Sequence, residues 1–172
     1  ATGVGAAASG QGVYVYEDGK TPSLLVKDLG TSSGFMAQGK TTVYAGGYDS
    51  KTYKSFIYGF TLAELKAAIS GSKTLSATTD GDKVHDGSAS DAATVEDDLV
   101  VITLDSSWKY KGVSRYPVTV TTGNKLTVGT SSSVVTGGSP TTITKLAGSG
   151  TKDLGLYLKG SSKMEIAIIT KK

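Results

Sequence analysis

Ala92-Ala93-Thr94-Val95-Glu96, then Asp97-Asp98, then Leu99-Val100-Val101-Ile102-Thr103 reads as two strands joined by a tight turn. The β-branched residues suit a pleated, buried surface, and so short a link forces the strands antiparallel. The same unit recurs on either side. Gly34-Phe35-Met36-Ala37-Gln38 is followed by Gly39-Lys40 and then by Thr41-Thr42-Val43-Tyr44-Ala45-Gly46. Asp153 to Lys159 is followed by Gly160-Ser161 and then by Lys163 to Ile169. The turns are about 60 residues apart, as in repeated β units carrying insertions. A unit that cannot bury both faces alone must find neighbours.

Between these units lie further strands. Val13-Tyr14-Val15-Tyr16 and Ser23 to Asp28 flank a turn at Glu17-Asp18-Gly19-Lys20. Gly46 to Ser50 reads as a loop and Ser55 to Phe60 as a strand. The period then changes. Thr61 with Glu64 has the spacing of a capping box, and Leu62, Leu65, Ala68 and Ile69 fall on one helical face before Gly71. One short helix is therefore expected near 62–69. Thr74 to Thr78 reads as an outer strand and residues 79–91 as the clearest loop. Tyr116 to Thr121 and Lys125 to Gly129 form a polar-faced hairpin around Thr122-Gly123-Asn124. Ser133 to Thr136 and Thr142 to Leu146 form another pair around Gly137-Gly138-Ser139-Pro140, and the run from Val13 to Ala45 parallels that from Val134 to Ile166.

The length of 172 residues favours a single all-β domain over 1–172, with a flexible N-terminal segment at 1–11. A net charge of +3, with 18 Lys and Arg scattered along the chain, is not a nucleic-acid footprint. With no Cys, the chain has no disulfide, no thiolate nucleophile and no Cys-ligated zinc. The Gly-, Ser- and Thr-rich composition leans towards an extracellular or cell-surface location. Ala1 to Gly10 suits the start of a mature chain after signal cleavage and is too short and glycine-rich to insert in a membrane.

Two inner strands, a loop and two outer strands make a four-stranded unit, and in outline the repeats resemble the blades of β-propellers in bacterial surface proteins. That resemblance implies an all-β fold of antiparallel, blade-like sheets: a partial β-propeller completed by oligomerisation. The chain would open on outer strands at 13–28 and stop after inner strands at 153–169. About three blades do not close, since propellers need roughly four to eight, so one chain end would pair with the opposite end of a second copy. The run Ile166 to Ile169, followed by Lys171 and Lys172, is the apolar strand whose open edge calls for a partner. A monomeric β-sandwich is the alternative fold, and the chain being a processed piece of a longer protein is a further expectation.

No cluster of residues identifies a reaction. His85 is the one histidine and sits among Asp80, Asp82, Asp86 and Asp91, which reads first as a solvated loop. A calcium loop there would lack the glycine at its sixth position, which is His85, and the glutamate at its twelfth, which is Asp91. Glu96, Asp97 and Asp98 read as a solvated turn. Gly46-Gly47 and Gly137-Gly138 are not followed by Lys-Ser or Lys-Thr and read as turns rather than phosphate cradles. Tyr44, Tyr48, Tyr53, Tyr58, Phe56, Phe60 and Trp108 divide between core packing and a sugar or peptide surface. No catalytic, cofactor-binding or metal residue is assigned. The expectation is a non-enzymatic extracellular structural protein that self-assembles into a surface filament, sheath or pilus-like fibre, with itself as its main partner and other surface proteins or glycans as further ones. The alternative is a carbohydrate- or protein-binding module using loops 79–91 and 105–112.

Overall fold

The computed structural model describes residues 2–7, 10–16, 18–136, 142–147, 150, 153–159 and 164–170, with side chains for 12–16, 18–31, 34–134, 146, 150 and 154. In chain order the strands are β1 (Thr2–Ala7), β2 (Gly10–Val15), β3 (Ser23–Lys27), β4 (Ser32–Gln38), β5 (Thr42–Asp49) and β6 (Lys54–Thr61). Helix α1 (Leu62–Ser70) follows, then β7 (Leu75–Ser76), β8 (Asp82–Asp86), β9 (Ala89–Val95), β10 (Asp98–Leu104), β11 (Tyr110–Tyr116) and β12 (Val118–Thr121). The last are β13 (Lys125–Val128), β14 (Ser132–Thr136), β15 (Thr142–Ala147), β16 (Asp153–Lys159) and β17 (Met164–Thr170). The protein is thus mostly β with one short helix, as expected.

The strands form meanders. Three sheets have four strands, in the orders β1-β2-β3-β7, β4-β5-β6-β8 and β14-β11-β10-β9. A fourth has three, β15-β16-β17, and β12-β13 is a separate hairpin. Most neighbours are antiparallel, whereas β7 joins β3 in parallel. The described residues contain several mostly antiparallel sheets, four-stranded ones among them, and no closed ring.

The chain divides into two compact units. One comprises 1–36, 42–86 and 120–126; the other comprises 37–41, 87–119 and 127–172. In the first, Val13, Leu25 and Val26 of β2 and β3 share a core with Val43 and Ala45 of β5, Tyr58 and Phe60 of β6, and Leu65 and Ala68 of the helix. In the second, Val95, Val100, Ile102 and Val113 pack against Leu146 and Leu154 from the three-stranded sheet. Leu99, Val100, Val101 and Ile102 are all fully buried, so β10 is covered on both faces. That is why its sequence is an unbroken apolar run rather than an alternating one.

The helix forms where its caps place it. Thr61 has an extended backbone, and its hydroxyl accepts the Glu64 amide at 3.0 Å. At the other end Gly71 donates its amide to the Ala67 carbonyl at 2.9 Å. Leu65 and Ala68 are buried beneath it, while Ile69 stays exposed.

β1 and β2 pair from Thr2 with Val15 to Ala7 with Gly10, so the first sheet has a strand beyond those at 13–28. Several expectations are corrected. Residues 79–91 are not one loop. They hold β8 and the start of β9, because Phe56 and Ile57 of β6 pair with Asp86 and His85. Gly46 and Gly47 lie inside β5 rather than in a loop. There they allow close approach, for a Cβ on Gly47 would sit 1.6 Å from the Leu29 carbonyl oxygen. The expected pair of 133–136 with 142–146 does not form: β14 joins β11 and β15 joins β16. The turn between β9 and β10 is Glu96-Asp97, with Glu96 left-handed, and Asp98 already belongs to β10.

The third repeat is also out of phase. The turns at Gly39-Lys40 and Glu96-Asp97 join the first and second strands of their sheets. The unit at 153–169 gives β16 and β17, the second and third strands of its sheet. Its own turn at 160–163 and the Gly137-Gly138 turn lie outside the described residues, as do Lys171 and Lys172.

Candidate functional site

Two sets of turns organise the sheets. The first-to-second strand turns converge inside the second unit. The Lys40 amide donates to the Glu96 carbonyl at 3.1 Å. The Thr41 amide and hydroxyl each donate to the Asp97 carboxylate at 2.7 Å. The Thr94 hydroxyl donates to the Gln38 carbonyl at 2.6 Å and accepts the Gly150 amide at 2.8 Å. Gly150, with φ of +65°, lies against Gly39 so closely that a Cβ would come within 3.1 Å of its carbonyl carbon. These bonds tie the ends of the strands to one another.

The second-to-third strand turns are built alike. Asp49 is the last residue of β5, and its carboxylate accepts the Lys51 amide at 2.9 Å and the Thr52 hydroxyl at 2.8 Å. Asp105, one residue beyond β10, accepts the amides of Ser107 and Lys109 at 2.8 and 2.9 Å. These bonds hold both carboxyls below the usual aspartate range, led by Lys51 for Asp49 and by Lys109 for Asp105. Each turn ends on a left-handed aromatic residue followed by lysine, Tyr53-Lys54 and Trp108-Lys109. In the longer connection between β2 and β3, Gly19 is left-handed with φ of +76°. Tyr53 is 70% exposed and Trp108 49%, the two most exposed large apolar side chains among the described residues.

The residues singled out in the sequence are dispersed. His85 is buried in β8 rather than solvated, opposite Ile57. The four aspartates around it hold separate parts of the structure. Asp80 accepts the Ser76 amide at 2.8 Å and lies 3.5 Å from Lys73; the Ser76 bond keeps its carboxyl below the usual range. Asp82 accepts the Leu126 amide, Asp86 faces Lys83 and Asp91 accepts the Leu146 amide. Among the described residues no three His, Asp or Glu side chains gather as a metal site. Asp98 is not solvated either: it is buried and paired with Arg115 at 2.7 Å. Of the aromatics, Tyr44, Tyr58 and Phe60 are core, whereas Tyr53 and Trp108 face solvent.

A cavity of about 340 Å³ lies between β3 and the end of α1, lined by Leu24, Leu25, Ala68, Ile69 and Thr74, with Lys73 as its one ionisable residue. It presents no acid–base pair. Trp108 was legible as a candidate, although the expected loop 105–112 ends at Lys109, where β11 begins with Tyr110; Tyr53 as its counterpart was missed. The shared signal was present in the sequence as Asp49-Ser50 and Tyr53-Lys54 against Asp105-Ser106 and Trp108-Lys109.

These features define a β-meander scaffold whose turns are its most distinctive surfaces. No family model matches the chain, and neither a curated protein nor a solved structure matches it.

Proposed function

We propose that this chain is a non-enzymatic structural protein, exported from the cell, whose copies join by strand addition into a filament or sheath. The observation that carries the reading is the open edge of the last sheet. Three sheets have four strands, whereas β15-β16-β17 has three among the described residues, with β17 as an outer strand. The sequence of β17, Met164-Glu165-Ile166-Ala167-Ile168-Ile169-Thr170, is β-prone and apolar. An edge of that kind templates pairing with another chain.

The first sheet supports the idea that a fourth place need not be filled by the next strand in sequence. Its fourth member is β7, which follows the third strand of the second sheet. In the assembly the fourth place beside β17 is taken by an edge strand of another copy, and β1 is the outer strand at the opposite end of the chain. Head-to-tail pairing of this kind propagates unless its rotation closes. The meanders then act as blades of a partial propeller completed between subunits. The Gly-, Ser- and Thr-rich composition without Cys suits an extracellular location.

Light scattering on the purified protein tests this directly. The expected mass is a multiple of the 17.6 kDa chain, with rings or fibres in electron micrographs. A synthetic peptide of residues 164–170, added in excess, should compete for the edge and shorten the assemblies. A particle of single-chain mass at every concentration would remove the proposal.

A further inference from the structure

We propose that the free edge of β14 is a docking site for β14 of a second copy of this chain, the two strands pairing antiparallel about a two-fold axis. β8 supplies the comparison. Both strands take the outer place next to the third strand of a meander, β8 beside β6 and β14 beside β11. Both are five residues long and antiparallel to that neighbour. Both skip one residue in the register, and each time it is the central valine. Val84 falls between Lys83, opposite Tyr58, and His85, opposite Ile57. Val134 falls between Ser133, opposite Ser114, and Val135, opposite Val113. Val84 is buried, and Val134 packs against the core of its unit. The two strands are therefore the same structural part, met once in each unit.

Their outer edges differ in chemistry. A bare edge strand offers unpaired main-chain groups to any other strand, and folds blunt such edges with brevity, bulges or charge. The outer strand of the first sheet, β7, is two residues long. β8 adds charge to its bulge: Asp82, Lys83 and Asp86 are three of its five residues, and Lys83 and Asp86 stand half-exposed, 3.6 Å apart. β14 reads Ser132-Ser133-Val134-Val135-Thr136, without a charge or a proline. Thr130 and Ser131 before it are uncharged too, and residues 130–133 are exposed. Such a run on a sheet edge is open to pairing. The bulge disturbs the ladder at one residue and leaves main-chain groups on either side of it. Among the described residues β14 pairs with β11 alone. No charge in the strand selects a partner, so the fitting partner offers matching hydroxyls and valines. An antiparallel copy of β14 does so, since Ser and Thr bond across strands and valines pack. Such a joint is isologous and closes as a dimer. It does not depend on the edge at β17. Where both joints form, the two-fold one ties one filament to the next, as a sheath requires; that step alone rests on the assembly reading.

Cysteine cross-linking tests this, because the chain has no Cys of its own. A single cysteine is placed in turn at each position from Ser131 to Thr136, and the variants of the whole chain are oxidised in solution. A two-fold axis brings one residue, or two adjacent ones, against itself in the second copy, within the reach of a disulfide. One position, or two adjacent ones, should therefore give a linked pair of twice the chain mass on a non-reducing gel. The other positions should link weakly, and so should Thr119→Cys, exposed in the separate β12-β13 hairpin. Ser133→Lys and Thr136→Asp each put on β14 the residue that β8 carries at the same place, Lys83 and Asp86. Both should keep the melting temperature, since β8 folds with those residues, and each should abolish the link formed at another position. No link at any position, equal links at every position including Thr119, or a link that survives both guard substitutions would overturn the proposal. Fibres in micrographs without a link would retire the β14 joint and leave strand addition at β17 standing; linked pairs without fibres would do the reverse.

Discussion

Asp98 and Arg115 meet at 2.7 Å across neighbouring strands, with side chains only 10% and 17% exposed. One carboxylate oxygen accepts both Arg115 Nη2 and Nε, the latter at 2.8 Å, and the other accepts the Val118 amide at 3.1 Å. The pair therefore locks β10 to β11 and fixes the start of β12 beyond Pro117. Removing one member leaves the other charge buried without its partner. Asp98→Ala should cost about 3–5 kcal/mol, read from the shift in urea midpoint. Replacing both residues with apolar ones of similar volume should cost clearly less than the single change. Equal losses for the single and double variants would show that the pair is not the cause.

Gly47 gives a second prediction, from packing alone. Its missing side chain lets β5 pass the Leu29 carbonyl, where a Cβ would approach to 1.6 Å. The clash is with backbone, which cannot rotate away. Gly47→Ala should destabilise by at least about 2–3 kcal/mol. Gly123→Ala, at an open turn where nothing lies within 4 Å, should suffer only the strain of its φ of +87°. Thermal melts of the two variants check the ranking.

These cases show which parts of the fold were legible in the sequence. The helix was readable because Thr61, Glu64 and Gly71 act locally, through bonds within a few residues. The apolar run Leu99 to Ile102 was readable as a strand for the same reason. Residues 79–91 were not, because the order of β8 comes from pairing with Phe56 and Ile57, far away in sequence. Gly46-Gly47 looked like a turn because its neighbour, the Leu29 to Gly30 backbone, is invisible in one dimension. The phase of the third repeat was misjudged since a two-strand unit looks the same wherever it falls in a meander. For the candidate site, Trp108 stood out by its residue type, but only the shared left-handed backbone made Tyr53 its equal.

The convergence of turns on Thr94 is a third test. Its hydroxyl bridges the Gln38 carbonyl and the Gly150 amide, linking strand ends far apart in the chain. Thr94→Val keeps the shape and removes both bonds, leaving two part-buried backbone groups without this partner. A loss of about 1–3 kcal/mol is expected, and Thr94→Ser should recover most of it. In hydrogen exchange, the Gly150 amide should lose protection in the valine variant and keep it in the serine one.

Acid titration separates two kinds of carboxylate. Asp49, Asp80 and Asp105 have lowered pKa values, caused first by the backbone bonds from Lys51, Ser76 and Lys109 respectively. Their ionised forms support the native turns, so that support is present above their ordinary value of 3.8 and is lost as pH falls through the lowered values. Glu64 runs the other way. Burial raises its pKa above 4.5, and Asp82 and Asp80 add to the shift while Lys125 and Lys73 oppose it. Its contribution is favourable below 4.5 and disappears as pH rises through the raised value, where the charge must be held in a partly dry site. Glu64→Gln should therefore raise the melting temperature at pH 7 and change little at pH values where Glu64 is already protonated. Asp105→Asn should lower it at pH 7 and converge with the wild type in strong acid. Melting curves collected across pH decide both, and a Glu64→Gln variant less stable than the wild type at pH 7 would mean that attraction to the helix N-terminus outweighs burial at this position.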